Sequence, residues 1–401
     1  KKYFLRTFSK MFGGTNNNSN TFGGGGSFGS NNNSGFGGGG GSFGSTNNNS
    51  GFGGGGGFSM AAPSSGFGSN NQFSAAGGFQ NANNSQVLTH QFQDSISDVA
   101  FSASSQFLAA TSWDGSISVW SMSSGKMMIR QSVQQPLLCC AFSPQDDLLF
   151  FAGCDNTVYA WHLAKNGVVK LGQHAAPVRT LHWSSTSNTV VTGSWDKTIK
   201  YWSPSSSTVM ATVNLPQKVY CMDVTGQLAV AGLSNRRVHI YNLSNPTTVF
   251  RAFDSPLKYQ NRCVGNFSDG FAIASVEGRC SIQYVSPSDS SKNFTFKCHR
   301  DNTKKEIYAV NSIAVHPYGT FATAGSDGLF HFWDKDAKSR LKQFKSTGSP
   351  ITATSFSPNG KFFAYATGYD WSRGLNFKSK YPTNLLVHQV IDSNIAPKGK
   401  F

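Results

Sequence analysis

From residue 94 onward, apolar and polar residues alternate with a period of two in short stretches, and each stretch ends in an aromatic residue. The stretches end, in chain order, at Trp120, Trp161, Trp202, Tyr241, Tyr284 and Trp333. A period of two places successive side chains on opposite faces of a β-strand, whereas a helix repeats its apolar positions every ~3.6 residues. The pattern therefore predicts strands along this part of the chain.

The spacing of these terminal aromatics indicates a repeat. They lie 41, 41, 39, 43 and 49 residues apart, and a degenerate seventh copy, ATGYDWSRG, surrounds Asp370. A period of about 40–45 residues with about four short strands per unit is typical of β-propeller blades. The chain thus resembles WD-repeat proteins, and we predict an all-β fold: a seven-bladed propeller over residues 86–395, followed by a basic end at 396–401.

The ends of the repeat region bear on how the ring closes. An open ring would leave unpaired sheet edges that invite association with other chains. We therefore expect a strand at about Val87–Phe92 to complete the seventh blade.

The third copy matches the structural tetrad of WD repeats most clearly. Its four positions are His174, Ser194, Asp196 and Trp202. A buried carboxylate in a turn must be hydrogen-bonded, and imidazole, hydroxyl and indole groups supply donors. We interpret His174 and Asp196 as a structural pair rather than a catalytic dyad. The fourth and fifth copies carry Asn235 and Glu277 instead of the aspartate, so we expect their turns to lack the full network.

Motifs for catalysis, metals and membranes are missing from the sequence. It contains no GxSxG, HExxH or P-loop motif, so we expect no enzyme activity, cofactor or metal. It has no apolar run of about 18 residues, so we expect no membrane insertion. The cysteines form no CxxC motif, and we interpret them as reduced thiols of an intracellular protein: Cys139, Cys140, Cys154, Cys221, Cys263, Cys280 and Cys298.

Residues 11–85 have a different composition from the rest of the chain. They contain no charged residue and hold a near duplication, SFGSNNNSGFGGGGG at 27–41 and SFGSTNNNSGFGGGGG at 42–57. Glycine loses much backbone entropy on folding, and isolated phenylalanines cannot bury enough surface to offset that loss. We therefore predict a disordered segment. Its Phe-Gly pairs begin at Phe12, Phe22, Phe28, Phe36, Phe43, Phe52 and Phe67.

Separated apolar groups of this kind bind weakly but many times over. The segment resembles the FG repeats of nucleoporins, and the resemblance implies contact with transport receptors or with other FG chains. The alternative is a low-complexity expansion without function. Residues 1–10 are interpreted as an upstream extension preceding Met11, with a targeting peptide as the alternative.

The charge of the chain favours an acidic partner. The formal net charge is +15, of which four positive charges lie in residues 1–10, so +11 remains on residues 86–401. A basic surface of this size suits nucleic acid or an acidic peptide. The alternative is that the charge only keeps the propeller soluble.

Longer strings resemble one particular subfamily. They are GSWDKTIKYW (193–202), SPLKYQNRCV (255–264), SVEGRCSIQY (275–284), NFTFKCHR (293–300), IYAVNSIAVHP (307–317), GSDGLFHFWDKDAKSRLK (325–342) and FAYATGYDWSRG (363–374). Together they resemble the mRNA export factor of nuclear pores, of the Rae-one or Gle-two type.

The resemblance implies a non-enzymatic adaptor in the nucleus, at the nuclear pore complex of the nuclear envelope. Such an adaptor docks on an FG nucleoporin that carries a Gle-two-binding sequence, and it supports export of poly(A) mRNA. The alternative is a mitotic checkpoint or spindle scaffold that binds similar peptides, with spindle partners that the sequence does not identify.

Two surfaces are predicted to bind partners. The first combines cationic and aromatic residues that suit RNA, a messenger ribonucleoprotein or another acidic ligand, and these positions match a basic, aromatic-lined ligand surface in the family. Its members are Arg279, Phe296, Lys297, Arg300, Trp333, Lys338 and Arg340. The alternative makes Trp333 a core residue and places Lys338 and Arg340 in a solvated loop.

The second predicted surface is a contact for the nucleoporin peptide. It comprises Lys258, Tyr259 and Arg262 in the string SPLKYQNRC. The alternative is an ordinary strand between blades whose charges face water.

Overall fold

The structure of the protein is a computed structural model that describes residues 81–88 and 92–399, apart from the side chains of Leu375 and Ser379. Residues 1–10 and the seven predicted Phe-Gly pairs lie outside the described residues, so the predictions made for them remain predictions. None of the helices in the described ranges has the length and apolarity needed to span a membrane.

Seven four-stranded antiparallel sheets make up the described fold, and they are the blades of a propeller. Blade 1 holds β2–β5 (Ile96–Phe101, Phe107–Ser112, Ser116–Ser121, Met127–Ser132). Blade 2 holds β6–β9 (Leu137–Phe142, Leu148–Gly153, Thr157–His162, Gly167–Gln173). Blade 3 holds β10–β13 (Val178–Ser184, Thr189–Ser194, Thr198–Trp202, Val209–Asn214). Blade 4 holds β14–β17 (Val219–Thr225, Leu228–Leu233, Arg237–Asn242, Val249–Asp254).

The remaining blades carry the short additions to this plan. Blade 5 holds β18–β21 (Asn261–Asn266, Gly270–Ser275, Arg279–Tyr284, Phe294–Lys297), with a 3-10 helix at Pro287–Lys292 and a hairpin after it, β22–β23 (Arg300–Asp301, Glu306–Ile307). Blade 6 holds β24–β27 (Val310–Val315, Phe321–Gly325, Phe330–Asp334, Ser339–Gln343). Blade 7 holds β28–β30 (Ile351–Phe356, Phe362–Thr367, Asn384–Gln389), a 3-10 helix at Leu375–Lys380 and β1 (Gln86–Leu88); helix α1 (Asp392–Ile395) follows it.

A strand from before blade 1 closes the ring. β1 pairs antiparallel with β30, so that Gln86 lies opposite Val387 and Leu88 opposite Leu385. Leu88 is buried, and its burial stabilises the closure together with the backbone hydrogen bonds of the pair. The expectation of a closing strand is therefore confirmed, with the strand at Gln86–Leu88 instead of about Val87–Phe92; residues 89–91 lie outside the described residues. Ordered contacts begin before the predicted boundary at residue 86, since Asn81 Nδ2 donates a hydrogen bond of 2.6 Å to the Tyr365 hydroxyl.

The first strand of every blade lines a central channel, and each of these strands contacts the first strands of the two neighbouring blades. Near its beginning, each first strand contains one extra residue where the register with the second strand shifts, which is a β-bulge. The seven bulge residues are Ser97, Leu138, Arg179, Tyr220, Arg262, Asn311 and Thr352. We call the end of the propeller that carries them the bulge end, and the other end the far end.

Burial explains the pattern seen along the chain. The second and third strands of a blade are covered on both faces by neighbouring blades, so most of their residues are apolar or small and are buried. Packing there is close: a Cβ atom on Gly172 would lie 2.0 Å from the ring of Trp202. The outer strands are more exposed, and Met210 on β13 keeps 62% of its surface in solvent.

All seven cysteines are free, and six of them are buried. Burial raises the pKa of the Cys221 thiol to about 12, which keeps it protonated and unreactive near neutral pH. The residues that the structure describes contain no group of three or more His, Cys, Asp or Glu side chains arranged to hold a metal ion.

Candidate functional site: tetrads, channel and the junction of blades 5 and 6

The predicted tetrad of blade 3 forms a connected hydrogen-bond network. His174 Nδ1 lies 2.8 Å from Asp196 Oδ2, and His174 Nε2 lies 2.7 Å from the hydroxyl of Thr192. The same hydroxyl accepts a hydrogen bond of 2.7 Å from the indole of Trp202. Burial lowers the pKa of His174, so the imidazole is neutral and the network holds the blade together without catalytic chemistry.

The predicted tetrad was wrong at its hydroxyl. Ser194 Oγ donates to the carbonyl groups of Ala176 and Pro177, at 3.0 and 2.9 Å, instead of bridging the histidine and the tryptophan. The reason is register: Ser194 ends β11 at the turn, whereas Thr192 lies inside the strand at the level that the indole reaches. Thr192 is therefore the tetrad hydroxyl of blade 3.

Blade 6 contains a second complete tetrad that was not predicted. His299 Nδ1 lies 2.9 Å from Asp327, His299 Nε2 lies 2.9 Å from the Thr323 hydroxyl, and Trp333 Nε1 donates to that hydroxyl at 2.9 Å. The spacing of residues in the sequence could have predicted this tetrad. Threonine, aspartate and tryptophan have the same spacing here as Thr192, Asp196 and Trp202 have in blade 3.

Blades 4 and 5 hold their turns by other means, as their substituted residues led us to expect. Asn235 Oδ1 accepts a hydrogen bond from the backbone of Arg237 at 3.3 Å. Glu277 forms ion pairs of 3.7 Å with both Arg279 and Arg300. A carboxylate shared by two guanidinium groups thus fastens the turn of blade 5.

The aromatic members of the first predicted surface meet where blades 5 and 6 adjoin. Phe296 on β21 and Trp333 on β26 have ring centroids 4.6 Å apart. Both rings are half-buried and pack against the apolar core between the blades. Trp333 therefore belongs to the tetrad of its blade and also contacts a residue of the predicted ligand surface.

The cationic members divide between the two ends of this junction. Arg279 begins β20 and lies opposite Lys297 at the bulge end, where Arg300 donates to the Glu277 carbonyl at 2.9 Å. At the far end, Lys338 lies in the turn between β26 and β27, and its Nζ is 5.2 Å from the centroid of the Phe294 ring.

Arg340 pairs with Trp333 across β26 and β27, and its side chain is exposed. The structure therefore brings Phe296, Trp333, Lys338 and Arg340 together along the junction of blades 5 and 6. Arg279 and Lys297 are adjacent in sequence to Cys280 and Phe296, which pack at this junction, so they project from the opposite faces of β20 and β21. We call Phe296, Trp333, Lys338 and Arg340 the junction stripe. Lys335, which belongs to the same string, is buried and forms ion pairs with Asp269 and Asp336 at 3.2 and 2.8 Å.

The second predicted surface is not a single site. Lys258 and Tyr259 are exposed at the bulge end, in the loop between β17 and β18. Arg262 is separated from them, because the bulge in β18 directs its side chain into the channel. There its Nε donates a hydrogen bond of 2.7 Å to Asn311 Oδ1. The structure therefore does not group Arg262 with Lys258 and Tyr259, because alternation along a strand does not reveal a bulge. The peptide contact of these three residues stays a prediction.

The blades and tetrads define a class of protein, the WD-repeat β-propellers. The WD domain, G-beta repeat family matches residues 83–121, 129–162, 166–203 and 290–334. Among solved structures, the RRP9 WD40 repeats superpose with a TM-score of 0.67 at 15% identity, covering 76% of this chain and 97% of that chain. The structure of U3-55K gives a TM-score of 0.67 at 14% identity, over 76% and 98% of the two chains. These likenesses concern the fold.

Comparison with characterised proteins narrows the class to a family. The mRNA export factor GLE2 of Chaetomium thermophilum is 42% identical over 324 residues, which cover 76% of this chain and 90% of that protein. Protein Rae1 of Drosophila melanogaster is 43% identical over 70% of this chain and 86% of its own length. The Poly(A)+ RNA export protein of Schizosaccharomyces pombe is 40% identical over 77% and 91%.

The chain belongs to the Rae1/Gle2 family of mRNA export factors, WD-repeat proteins that are not enzymes. The resemblance inferred from the sequence strings is thereby confirmed.

Proposed function

We propose that this protein is an adaptor at the nuclear pore that supports export of poly(A) mRNA from the nucleus. The observation that carries the proposal is the identity of about 40%, over 76–77% of this chain, with proteins named for mRNA export. The charge of +11 on residues 86–401 supports it, because messenger RNA and acidic peptides are the partners that such a surface attracts.

The proposed docking partner is an FG nucleoporin carrying a Gle-two-binding sequence. The bulge end supports this choice, since Lys258 and Tyr259 are exposed there and Arg279 and Lys297 lie at the same end of blade 5. Arg236 Nη1 lies 3.3 Å from the carbonyl oxygens of both Leu257 and Lys258, so the loop is held before a partner arrives. A loop ordered in this way loses less conformational entropy on binding.

The test is a calorimetric titration of the protein with the Gle-two-binding peptide of an FG nucleoporin. We expect one-to-one binding that weakens about tenfold or more in Lys258→Glu and Arg279→Glu, because charge reversal repels an acidic peptide. Lys170→Glu on the outer strand of blade 2 is the matched control and should bind as the unaltered protein does. A folded propeller that binds no peptide would contradict the proposal.

For RNA, the proposed contact is the junction stripe. Cations beside the half-buried rings of Phe296 and Trp333 suit the phosphates and bases of a single strand. Fluorescence anisotropy with a poly(A) oligonucleotide should show weaker binding and a shallower salt dependence for the Lys338→Glu, Arg340→Glu double variant. Unchanged affinity and an unchanged salt dependence would remove the junction stripe from the proposal.

Contact of the Phe-Gly pairs with transport receptors is likewise proposed, from the sequence alone.

A further inference from the structure

A cavity between blades 4 and 5 is explained neither by the tetrads nor by the junction stripe. It lies at the far end, where β14 turns into β15, and its volume is about 490 Å³. Apolar side chains from both blades line it, among them Leu228, Tyr241 and Phe250 from blade 4 and Val285 from blade 5. Phe250 keeps 57% of its surface in solvent, more than any other aromatic residue that the structure describes. An exposed ring beside an apolar cavity indicates a binding site for an apolar group.

The carboxylates at this cavity are paired with lysines of the same chain. Lys335 Nζ lies 3.2 Å from Asp269 Oδ2, and Lys292 Nζ lies 2.8 Å from Asp289 Oδ1. Within the described ranges, no other charged side chain lines the cavity. A phosphate or a charged peptide therefore meets no uncompensated opposite charge here, and the cavity favours an uncharged partner.

Apolar residues are also exposed where the outer strands of blades 1–4 begin. At a β-bulge against the third strand, blades 1, 3 and 4 carry Met128, Met210 and Phe250. Met128 and Met210 keep 54% and 62% of their surface in solvent. Methionine adapts its shape and contacts aromatic rings favourably, so these strands suit a partner rich in phenylalanine. We call these three residues the outer belt, together with five exposed neighbours: Met127, Val168, Val169, Val209 and Val249.

The described part of the chain begins at blade 7, next to the outer belt. Asn81 is its first residue and is hydrogen-bonded to Tyr365 on that blade. Further along, the Gln86 side chain lies against Gly125 of blade 1, where a Cβ atom would be 2.7 Å from Gln86 Nε2. Gly125 precedes Met127 of the outer belt by two residues. The residues before Asn81 are therefore joined to the propeller close to blade 1.

These preceding residues supply a partner of the required chemistry. Residues 11–80 contain seven Phe-Gly pairs and no charged side chain, and we call them the Phe-Gly segment. Phe67 precedes Asn81 by 14 residues, which span up to about 45 Å, and the earlier pairs have a longer reach. A domain of the size of the propeller has a radius of gyration of about 20 Å, so the chain is long enough to reach all four blades.

We propose that the cavity and the outer belt form a docking surface for the Phe-Gly segment of this protein. One phenylalanine ring enters the cavity beside Phe250, and further rings contact the valines and methionines of blades 1–3. Each contact is weak, but several on one segment reinforce one another because the first raises the effective concentration of the rest. RNA does not suit this surface, since its phosphates require cations. The surface is separate from the junction stripe and from the bulge end proposed for the nucleoporin peptide.

The test uses a fluorescent peptide of residues 27–57, which contains four Phe-Gly pairs, and follows its binding by anisotropy. The acceptor is the full-length protein with the phenylalanines of all seven pairs replaced by serine, so that its own segment does not compete. We expect saturable binding that weakens about fivefold or more in Phe250→Ser, with a further loss in the Phe250→Ser, Met210→Ser double variant. Tyr318→Ser, which removes another exposed aromatic ring outside the outer belt, is the matched control and should bind normally.

Two further measurements locate the contact. The peptide with its four phenylalanines replaced by serine should not bind, because the rings make the contact. A photoreactive phenylalanine at position 36 of the peptide should crosslink to residues of the cavity or of the outer belt, which mass spectrometry identifies. Circular dichroism shows that each acceptor variant is folded.

Each outcome decides the assignment. Equal affinity of the folded Phe250→Ser variant and its parent overturns the proposal, and so does binding of the serine peptide or the absence of saturable binding. Crosslinks confined to the bulge end overturn it as well. Tighter binding of an equally long Phe-Gly peptide from an FG nucleoporin overturns the choice of occupant and assigns the surface to that partner. None of these results depends on the nucleoporin contact at Lys258 and Arg279, so failure of either proposal is recognised separately.

Discussion

Among single residues, the threonine hydroxyls of blades 3 and 6 connect side chains that would otherwise be buried without partners. Thr192 joins His174 to Trp202, and Thr323 joins His299 to Trp333. Each hydroxyl has one proton to donate and lone pairs to accept, so it satisfies the imidazole and the indole together. The tetrad thus depends on a group that packs inside the blade rather than on the serine at its turn.

Replacing Thr192 tests this assignment. Thr192→Val keeps the shape but removes the hydroxyl, which leaves His174 and Trp202 unsatisfied, and we expect a loss of about 2–4 kcal/mol in the free energy of unfolding. Thr192→Ser should retain most of the stability, and Ser194→Ala should cost only about 1 kcal/mol. Urea unfolding followed by tryptophan fluorescence measures these differences. A larger loss for Ser194→Ala than for Thr192→Val would refute the assignment.

At the scale of the element, blade 6 brings two histidines into contact in its interior. The rings of His299 and His331 lie 4.8 Å apart at an interplanar angle of 72°. Burial lowers the pKa of His331 to about 3, and the neighbouring His299 contributes to this shift. His331 is therefore neutral in the folded blade across the range in which an unfolded histidine, with its pKa near 6.5, takes up a proton.

This difference makes stability depend on pH. Between pH 6.5 and about 3 the unfolded chain binds a proton that the folded blade does not, so the free energy of unfolding falls as the solution is acidified. From pH 6.5 to 5 the loss attributable to His331 is about 2 kcal/mol at most. Burial also lowers the pKa of His174, His316 and His388, which adds to the same trend.

The measurement is the urea midpoint at several pH values between 7.5 and 5. His331→Gln should flatten the dependence, while His162→Gln, at an exposed position on blade 2, should not change it. A slope that His331→Gln leaves unaltered would assign the pH dependence to other groups.

For the whole molecule, the closure of blade 7 couples the two ends of the described chain. Without β1, the edge of β30 would face solvent, and Tyr365 would lose the hydrogen bond from Asn81. Ser85 is also completely buried, although it precedes the strand. A ring is stabilised by closure because every sheet then packs between two neighbours and no inner edge is left for association.

Two deletions distinguish the contribution of β1 to stability from that of the residues that precede it. Removal of residues 1–80 should leave the melting temperature of the propeller nearly unchanged, because every β1 contact remains. Removal of residues 1–91 should lower it and promote aggregation, since the edge of β30 is uncovered. Scanning calorimetry and light scattering compare the two proteins. Equal melting temperatures would show that β1 contributes little to closure.

The repeat period of the aromatic residues and the alternation of apolar and polar residues were sufficient to predict the propeller from the sequence. Both patterns can be recognised in short stretches of sequence. A strand that lies between two blades consists mostly of apolar and small residues, and an aromatic residue recurs at the spacing of the blades. The closing strand was also predictable, since a ring with a missing strand has an exposed edge. Strings spread along the propeller were similarly sufficient to indicate the family of mRNA export factors, which the comparisons confirmed.

Only the tertiary structure decided where particular side chains point. Thr192 rather than Ser194 completes the tetrad because the register of two strands sets which hydroxyl the indole reaches. Arg262 enters the channel because a single extra residue turns it away from the surface. The junction stripe exists because the packing of blade 5 against blade 6 brings Phe296 against Trp333. Periodicity along a chain carries no information about bulges or about contacts between blades, and these depend on packing across the whole ring.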